Sequence, residues 1–403
     1  MLETPYFGNE SSLSRDRFFW ILKFLRFADY SNLKTNDPLR KISPFCNFVK
    51  KVIQNAYMPD QNVAVDEILL LFKGRVHFRA YIPSKRSRYG IKMYAVIDQH
   101  GYTWDFFVNT TASNLELPQE LEIRRDAFGF SGNVVIYLTH KLFDLNYRIF
   151  CDNFFVSDKL AQFLLANRTH LCGTVRYNRL PPEIKENFPN EDNAVKHFRK
   201  EHILISCFSE KKQSGKKRIS ILDTMAEPRE MEKTLIKKGG SVSKVTRPSS
   251  LESYNKYMGA VDQVDAQLHP YDITRKTFNW ARKTGIHLIH RLVLNAFSLH
   301  KQGKDDINFL SFTVTYARHL FESTGVGRKA GRKGGRPRIL KEVPENHIPR
   351  KIPASNTKTH PSLRCRVCTS NGIRKEARLF CDTCLCKPPL CAHPCFNIFH
   401  NYK

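Results

Sequence analysis

The spacing of apolar and polar residues changes character several times along the chain. Residues 14–25 place Phe18, Ile21, Leu22 and Leu25 at helical intervals, with Ser14 as a candidate cap and Arg15, Arg17, Lys23 and Arg26 on the other face. A second helical-period stretch runs from about Phe45 to Ala56. Between 63 and 110 the period shortens: VAVDEILLLF, IKMYAVIDQ and YTWDFFVNT read as strands, and His100-Gly101 marks a turn between the last two. VVIYL (134–138), YRIFC (147–151), THLCGTV (169–175), HILISCF (202–208) and RISIL (218–222) are further apolar runs of strand length. A short helix from Ser157 interrupts them, with Leu160, Phe163 and Leu164 inward. Longer helices are expected from Tyr254 to Leu268 and from Trp280 to His300, the latter with Ile286, Ile289, Leu292, Val293 and Ala296 as its apolar face. Strand–helix alternation predicts an α/β protein with a mixed sheet covered by helices.

Charge then narrows the function classes. Among 403 residues, 65 Lys and Arg face 38 Asp and Glu, a net charge of +27, which calls for a polyanionic partner. No apolar run approaches the roughly 18 residues of a membrane span, and the start of the chain lacks a signal-peptide pattern. A soluble, intracellular, anion-binding protein is expected. FKGRVHFRAYIPSKRSRYGIK interleaves Lys73, Arg75, Arg79, Lys85, Arg86, Arg88 and Lys92 with Phe78, Tyr81 and Tyr89. That pattern suits a groove that tracks a nucleic-acid backbone, and equally a solvated edge strand. GVGRKAGRKGGRPRILK (325–341) holds seven Lys and Arg and no acid, which reads as a basic linker, a minor-groove arm or a nuclear import signal.

Eleven cysteines are present, and the last seven fall between Cys365 and Cys395. Cys365-x2-Cys368-x12-Cys381-x2-Cys384-x6-Cys391-x3-Cys395-x4-His400 has the paired spacing of a zinc domain. Two tetrahedral ions need eight ligands. His393, Cys386, His360 and His347 are the candidates for the eighth.

Carboxylates carry the remaining chemistry. Asp152 follows the apolar strand YRIFC, where it either caps a turn or stands rigidly at a sheet rim. Asp262 and Asp265 are three residues apart on an expected helix, so they share a face and repel unless a cation or partner intervenes. Asp223 ends the strand RISIL, with Glu227 and Glu230 following. Acids converging from strand ends and a helix hold paired Mg²⁺ ions in phosphodiester cleavage and strand transfer. Phosphate-loop, serine-hydrolase and zinc-protease motifs are absent from the sequence.

CDNFFVSDKLAQFLL with the following LCGTVRYNR resembles the first catalytic block of piggyBac-type transposases. VDEILLLFKGRVHFRAYIPSKRSRYGIKMYAVID resembles the block before it, and YNKYMGAVDQVDAQL the late catalytic helix. The resemblance implies an RNase H-like mixed-sheet catalytic core, a flanking α-helical dimerisation and DNA-binding region, and a C-terminal cross-brace zinc domain. It implies Mg²⁺-dependent cut-and-paste transposition of double-stranded DNA through hairpin ends at TTAA targets, by a nuclear homodimer. Asp152 takes the place of the first catalytic acid, Asp262 of the third, and Asp265 of the neighbouring helix acid. The second acid falls near Ala226, with Asp223 one turn early and Glu227 adjacent. Members usually carry a long region before the ETPYFG-like segment, so part of the dimerisation surface is expected to be missing.

The expected layout is a helical dimerisation and DNA-binding part (1–62), the catalytic core (63–270), a helical continuation (271–324), a basic linker (325–346) and the zinc domain (347–403). Three functions compete: a metal-dependent DNA transposase, a catalytically impaired, domesticated DNA-binding derivative, and a zinc-domain adaptor or ubiquitin ligase. Arg364, Arg366, Arg374, Lys375, Arg378 and Lys387, between the cysteine pairs, disfavour the third.

Overall fold

The structure is a computed structural model. It describes residues 15–29, 31, 36–83, 88–110, 115, 117–121, 123, 126–212, 215–236, 242–271, 277–303, 307–323, 347–355 and 358–400. Beyond residue 13 the chain divides into two compact units, one ending at Thr324 and the other running from Gly325. Ser14, Lys85, Arg86 and the basic segment 325–341 lie outside the described residues.

Helices α1 (Arg15–Phe24) and α2 (Ser43–Ala56) open the first unit. The amphipathic α2 turns Cys46, Val49 and Ile53 into the core. Helix α1 forms where its period places it, but Phe18, Trp20, Ile21 and Phe24 stay exposed. Strands β1 (Asn62–Leu71), β2 (Arg79–Tyr81), β3 (Tyr89–Asp98) and β4 (Thr103–Val108) follow. The β3–β4 turn forms as expected. Gly101 adopts φ +82°, where a side chain is disfavoured, and its N–H donates to the Asp98 carbonyl at 3.1 Å.

The next elements are α3 (Gly129–Thr139), β5 (Arg148–Cys151), α4 (Asp158–Ala166), β6 (His170–Thr174) and α5 (Pro182–Glu186). VVIYL, expected as a strand, lies inside α3, with Val134, Val135, Ile136 and Leu138 all buried. A helix surrounded by protein loses its polar face, so its sequence matches that of a buried strand. Ser157 starts α4 as expected, its Oγ accepting from the Leu160 N–H at 3.2 Å. Strands β7 (Val195–Lys200), β8 (Ile203–Lys212) and β9 (Gly215–Asp223) and the hairpin β10 (Glu230–Ile236) and β11 (Val242–Pro248) complete the β-structure of this unit.

The main sheet has the order β2-β3-β1-β5-β6-β9-β8-β7, with β4 also on β3. Within it β4, β3 and β1 are antiparallel, and β5 and then β6 continue parallel to β1. Three antiparallel strands followed by two parallel ones form the RNase H-like arrangement within a mixed α/β fold. The parallel β5–β6 pair needs a crossover, which α4 supplies.

Helices α6 (Ser249–Tyr257), α7 (Ala260–Leu268), α8 (Trp280–Gln302) and α9 (Phe309–Ser323) follow the sheet. The single helix expected over 254–268 is two helices, interrupted at Met258–Gly259. Helix α8 does not bury its expected apolar face: Ile289 is exposed, while Lys283, Thr284, Arg291, Asn295 and Ser298 are buried with Leu288 and Phe297. Polar partners explain this. Asn295 Oδ1 accepts from the Thr103 N–H at 2.8 Å and its Nδ2 donates to the Thr103 carbonyl at 2.8 Å, which caps the start of β4.

The second unit contains β12 (Pro349–Lys351), β13 (Leu363–Arg364), α10 (Arg366–Ser370), β14 (Glu376–Ala377), β15 (Leu379–Cys381), β16 (Pro389–Leu390) and α11 (Cys395–His400). Its core is Val367, Ala377, Leu390 and Phe396 with four cysteines. Among the described residues no helix is long and apolar enough to cross a membrane.

Candidate functional site

The sheet register builds the first site. Val65 of β1 pairs with Cys151 of the parallel β5. The next residue after each is an acid: Asp66 continues β1, and Asp152 follows the last paired residue of β5. After Asp152 the chain leaves the sheet in a tight turn, with the Phe154 N–H donating to Asp152 Oδ1 at 2.8 Å. The turn folds back over β6 at Gly173, where a Cβ would stand 2.3 Å from the Cys151 carbonyl oxygen and 2.5 Å from a Val156 methyl. Glycine is therefore required there. Arg176 Nε donates to Asn153 Oδ1 and Arg179 Nη1 to the Asn153 carbonyl, both at 2.8 Å, fixing the turn from outside.

Burial pushes the Asp152 carboxyl above its ordinary range. The Phe154 N–H opposes that shift, Glu67 adds to it, and Arg176 and Lys92 offset it. Tyr254 of α6 is also raised, first by burial and then by Cys151, Asp152 and Asp66, so these groups share one local field. Asp66 and Glu67 were missed in the sequence as site residues. Their signal is two adjacent acids in the middle of the apolar run VAVDEILLLF.

The other sequence candidates are placed differently. Asp223 is fully buried and ion-paired with Arg148, and its Oδ1 accepts from the Met225 N–H at 2.9 Å and the Ala226 N–H at 3.0 Å. Asp223 pairs with Cys172 of β6, which pairs with Phe150 of β5. It therefore lies two strands across and two residues down from Asp152, about 12 Å away by strand spacing, with its carboxylate turned to the start of β5. The structure does not bring Asp223 to Asp152. Glu227 is exposed and pairs with Arg199 at 3.2 Å. Asp265 is ion-paired with the buried Arg291, which also donates to His287 Nε2 at 2.9 Å and Thr103 Oγ1 at 3.2 Å. Asp262, one turn earlier, faces solvent at the start of α7, while Val261 and Val264 are buried where α7 packs on β1 and β3. The expected like-charge pair thus has its partner in Arg291.

The second unit gathers eight ligand atoms into two interleaved sets. Cys365, Cys368, Cys391 and Cys395 form one, and His347, Cys381, Cys384 and His400 the other, with the ligand atoms of each set within 4.8 Å of one another. Cys368 and Cys395 sulfurs lie 3.4 Å apart, Cys381 and Cys384 sulfurs each lie 3.5 Å from His347 Nδ1, and Cys384 Sγ lies 3.4 Å from His400 Nε2. A tetrahedral zinc ion with Zn–S near 2.3 Å spaces its sulfurs about 3.8 Å apart, so both donor sets fit zinc. The alternation of first and third pairs with the second pair makes a cross-brace. His347 supplies the eighth position left open by the spacing, and Cys386 stays outside both sets, exposed. Burial pushes the Cys384 and Cys395 thiols up to about 12, and the neighbouring thiols add to it. Burial also works on Cys365, but the backbone N–H groups of Cys368 and Cys391 bring it down to about 7.

A family model described as Transposase IS4 matches residues 3–297. The chain belongs to this family, among its piggyBac-type transposases. Human PiggyBac transposable element-derived protein 3 is 22% identical over 336 residues, 80% of this chain and 54% of that protein. Human PiggyBac transposable element-derived protein 2 is 23% identical over 342 residues, 81% of this chain and 55% of that protein. The chain spans about half the length of the curated relatives it matches. A cryo-EM structure of a piggyBac transposase synaptic complex with hairpin DNA superposes with a TM-score of 0.66 at 23% identity, covering 94% of this chain and 78% of that one. The likeness is one of fold. The piggyBac-type family implies a divalent cation, and the all-oxygen donors at the Asp152 rim suit a hard one.

Proposed function

We propose that the protein is a piggyBac-like DNA transposase, carrying out metal-dependent cleavage and strand transfer of double-stranded DNA. The observation that carries this reading is the β1/β5 register, which brings Asp66 beside Asp152 in a fold shared with a piggyBac transposase. Asp152 and Asp66 would hold Mg²⁺, with the solvent-facing Asp262 as the third acid. When bound, the cation lowers the barrier to phosphodiester attack by activating a hydroxyl and stabilising the leaving oxygen. The chain's own part is to hold Asp152 rigidly through the Phe154 N–H and the Gly173 crossing. Asp265, through Arg291, anchors the helix that carries Asp262. Asp223 has a structural role through Arg148.

The net charge of +27 supports a DNA partner and a nuclear setting. The guanidinium of exposed Arg79 lies 4.9 Å from the Tyr89 ring centre, and the tilted Tyr81 ring packs on Tyr89 at 4.7 Å, a basic-aromatic edge suited to a phosphate backbone. The exposed aromatic face of α1 supports a homodimer. The two donor sets would hold two structural Zn²⁺ ions.

The test is nicking of plasmid DNA with Mg²⁺ or Mn²⁺. Asp152→Ala and Asp66→Ala are each expected to abolish it while leaving salt-sensitive DNA binding intact. DNA binding without cleavage under any divalent ion would instead identify a domesticated, non-catalytic derivative.

A further inference from the structure

The hairpin of β8 and β9 overhangs the sheet. Strand β7 accompanies β8 only to Phe208, after which Ser209 bonds the backbone of Asn193 and Ala194. Strand β6 accompanies β9 only from Ile221 onward, and the Val175 N–H donates to the Ser220 carbonyl. Among the described residues, the strands beyond Ser209 and Ser220 pair only with each other: Glu210 with Lys217, Lys211 with Lys216, and Lys212 with Gly215. Residues 210–218, EKKQSGKKR, hold five Lys and Arg and one acid. Lys211 and Lys216 occupy directly opposite positions, a placement that destabilises a hairpin unless an anion compensates it. Glu210 is engaged at the root, where Arg247 of β11 reaches its Oε1 at 3.0 Å and both side chains are mostly enclosed. Arg218 braces the root too, its guanidinium 4.7 Å from the Tyr177 ring and 5.7 Å from the Phe188 ring. Lys217, further out, is exposed.

The overhang leaves the sheet at the acid end. Gly173 of β6 pairs with Cys151 of β5 on one side and with Leu222 of β9 on the other, and β9 runs antiparallel to both. Passing from Leu222 back to Lys217 therefore continues in the direction in which β5 runs into Asp152, for about 17 Å by strand rise. The Arg79–Tyr89 edge stands at the same end, across β1 and β5 from the ribbon, because Arg79 pairs with Ile91 and Ile91 with Leu70, past Asp66 on β1. Basic elements thus flank the Asp152 rim on both sides.

We propose that the β8–β9 ribbon is a DNA-holding arm, which grips duplex phosphates on the side of the Asp152 rim opposite the Arg79–Tyr89 edge. This rests on the reading of double-stranded DNA as the partner and adds a named surface to it. Each lysine that meets a phosphate releases condensed counterions, and that release supplies both the affinity and its dependence on salt. A phosphate backbone also relieves the like-charge facing of Lys211 and Lys216.

The experiment is fluorescence anisotropy of the zinc-loaded, full-length protein on a labelled duplex of about 30 base pairs over a range of salt concentrations. Wild type is compared with Lys211→Gln/Lys216→Gln/Lys217→Gln, with the same three positions changed to Arg, and with Lys51→Gln/Lys141→Gln/Arg168→Gln, which removes three exposed charges elsewhere in the unit. Thermal melts and light scattering check folding and association. The ribbon Gln variant is expected to lower the slope of log affinity against log salt by about 2–3 and to bind at least about tenfold more weakly at low salt. The Arg variant is expected within about twofold of wild type, and the control variant to shift the slope by less than about 1. A ribbon Gln variant that binds the duplex no more weakly than the control overturns the proposal; if it also self-associates, the lysines only guard free strand edges. Loss of binding to phosphatidylserine vesicles, with duplex binding intact, overturns it in favour of an acidic membrane partner. Absence of nicking under any divalent ion, with the ribbon-dependent salt slope present, refutes the transposase reading and leaves the ribbon standing.

Discussion

Replacing Asp223 by Asn separates a structural acid from a catalytic one. Asn keeps a carbonyl oxygen for the Met225 and Ala226 N–H groups, 2.9 and 3.0 Å away, but removes the charge facing Arg148. Arg148 Nε is already buried without a hydrogen-bond partner among the described residues, so the guanidinium has little else to turn to. Removing one partner of a buried ion pair costs about 3–5 kcal/mol. Arg148 keeps 14% exposure, which places the cost near about 3 kcal/mol. For a unit of this size that lowers the melting temperature by about 5 °C. Asp223→Ala also strands the two N–H groups, each worth about 1–1.5 kcal/mol, and lowers it further. The assay pairs scanning fluorimetry with Mn²⁺-dependent nicking at a temperature where the variant is folded. Nicking is expected to survive within a few-fold. A variant with an unchanged melting temperature that has lost nicking would show Asp223 acting at the metal, and the strand-register argument would be wrong.

Chelation is expected to unfold the second unit, because its apolar core is small and structural zinc supplies about 10–16 kcal/mol at neutral pH; circular dichroism and proteolysis after stripping and re-adding Zn²⁺ check this. Gly173→Ala forces a methyl against the Cys151 carbonyl, so a loss of about 1–3 kcal/mol and a loosened Asp152 turn are expected, read by melting and by hydrogen exchange at residues 152–156. His287 is held well below the ordinary imidazole range by burial and then by Arg291, His290 and Lys283. A depressed folded value means the unfolded chain takes up the proton first. The stability this neutral ring supports is therefore present above about pH 6.5 and falls by up to about 1.4 kcal/mol per unit below it. His287→Gln, which keeps an acceptor for Arg291, should flatten that part of the pH–stability curve; an unchanged curve would exclude His287 as its source.

Local chemistry was legible where it depended on spacing alone. The C-x2-C pairs and His400 announced the two Cys/His donor sets, Ser157 announced its helix, and the alternating runs announced β1, β3 and β4. Asp152 was legible as an acid at a strand end because strand and turn are consecutive in sequence. Other features depended on contacts between distant segments. VVIYL became a helix because protein surrounds it on all sides, which no local period records. Helix α8 buried its polar face because Thr103 and Asp265, far away in the chain, supply its partners. His347 was chosen over three other candidate ligands only by where β12 and α11 lie. The pairing of Val65 with Cys151 put Asp66 beside Asp152 and left Asp223 two strands away. Sequence fixes which groups exist and which neighbours they have along the chain; the order of strands in the sheet decides which acids share a field, because a carboxylate responds to charges a few ångströms away through space.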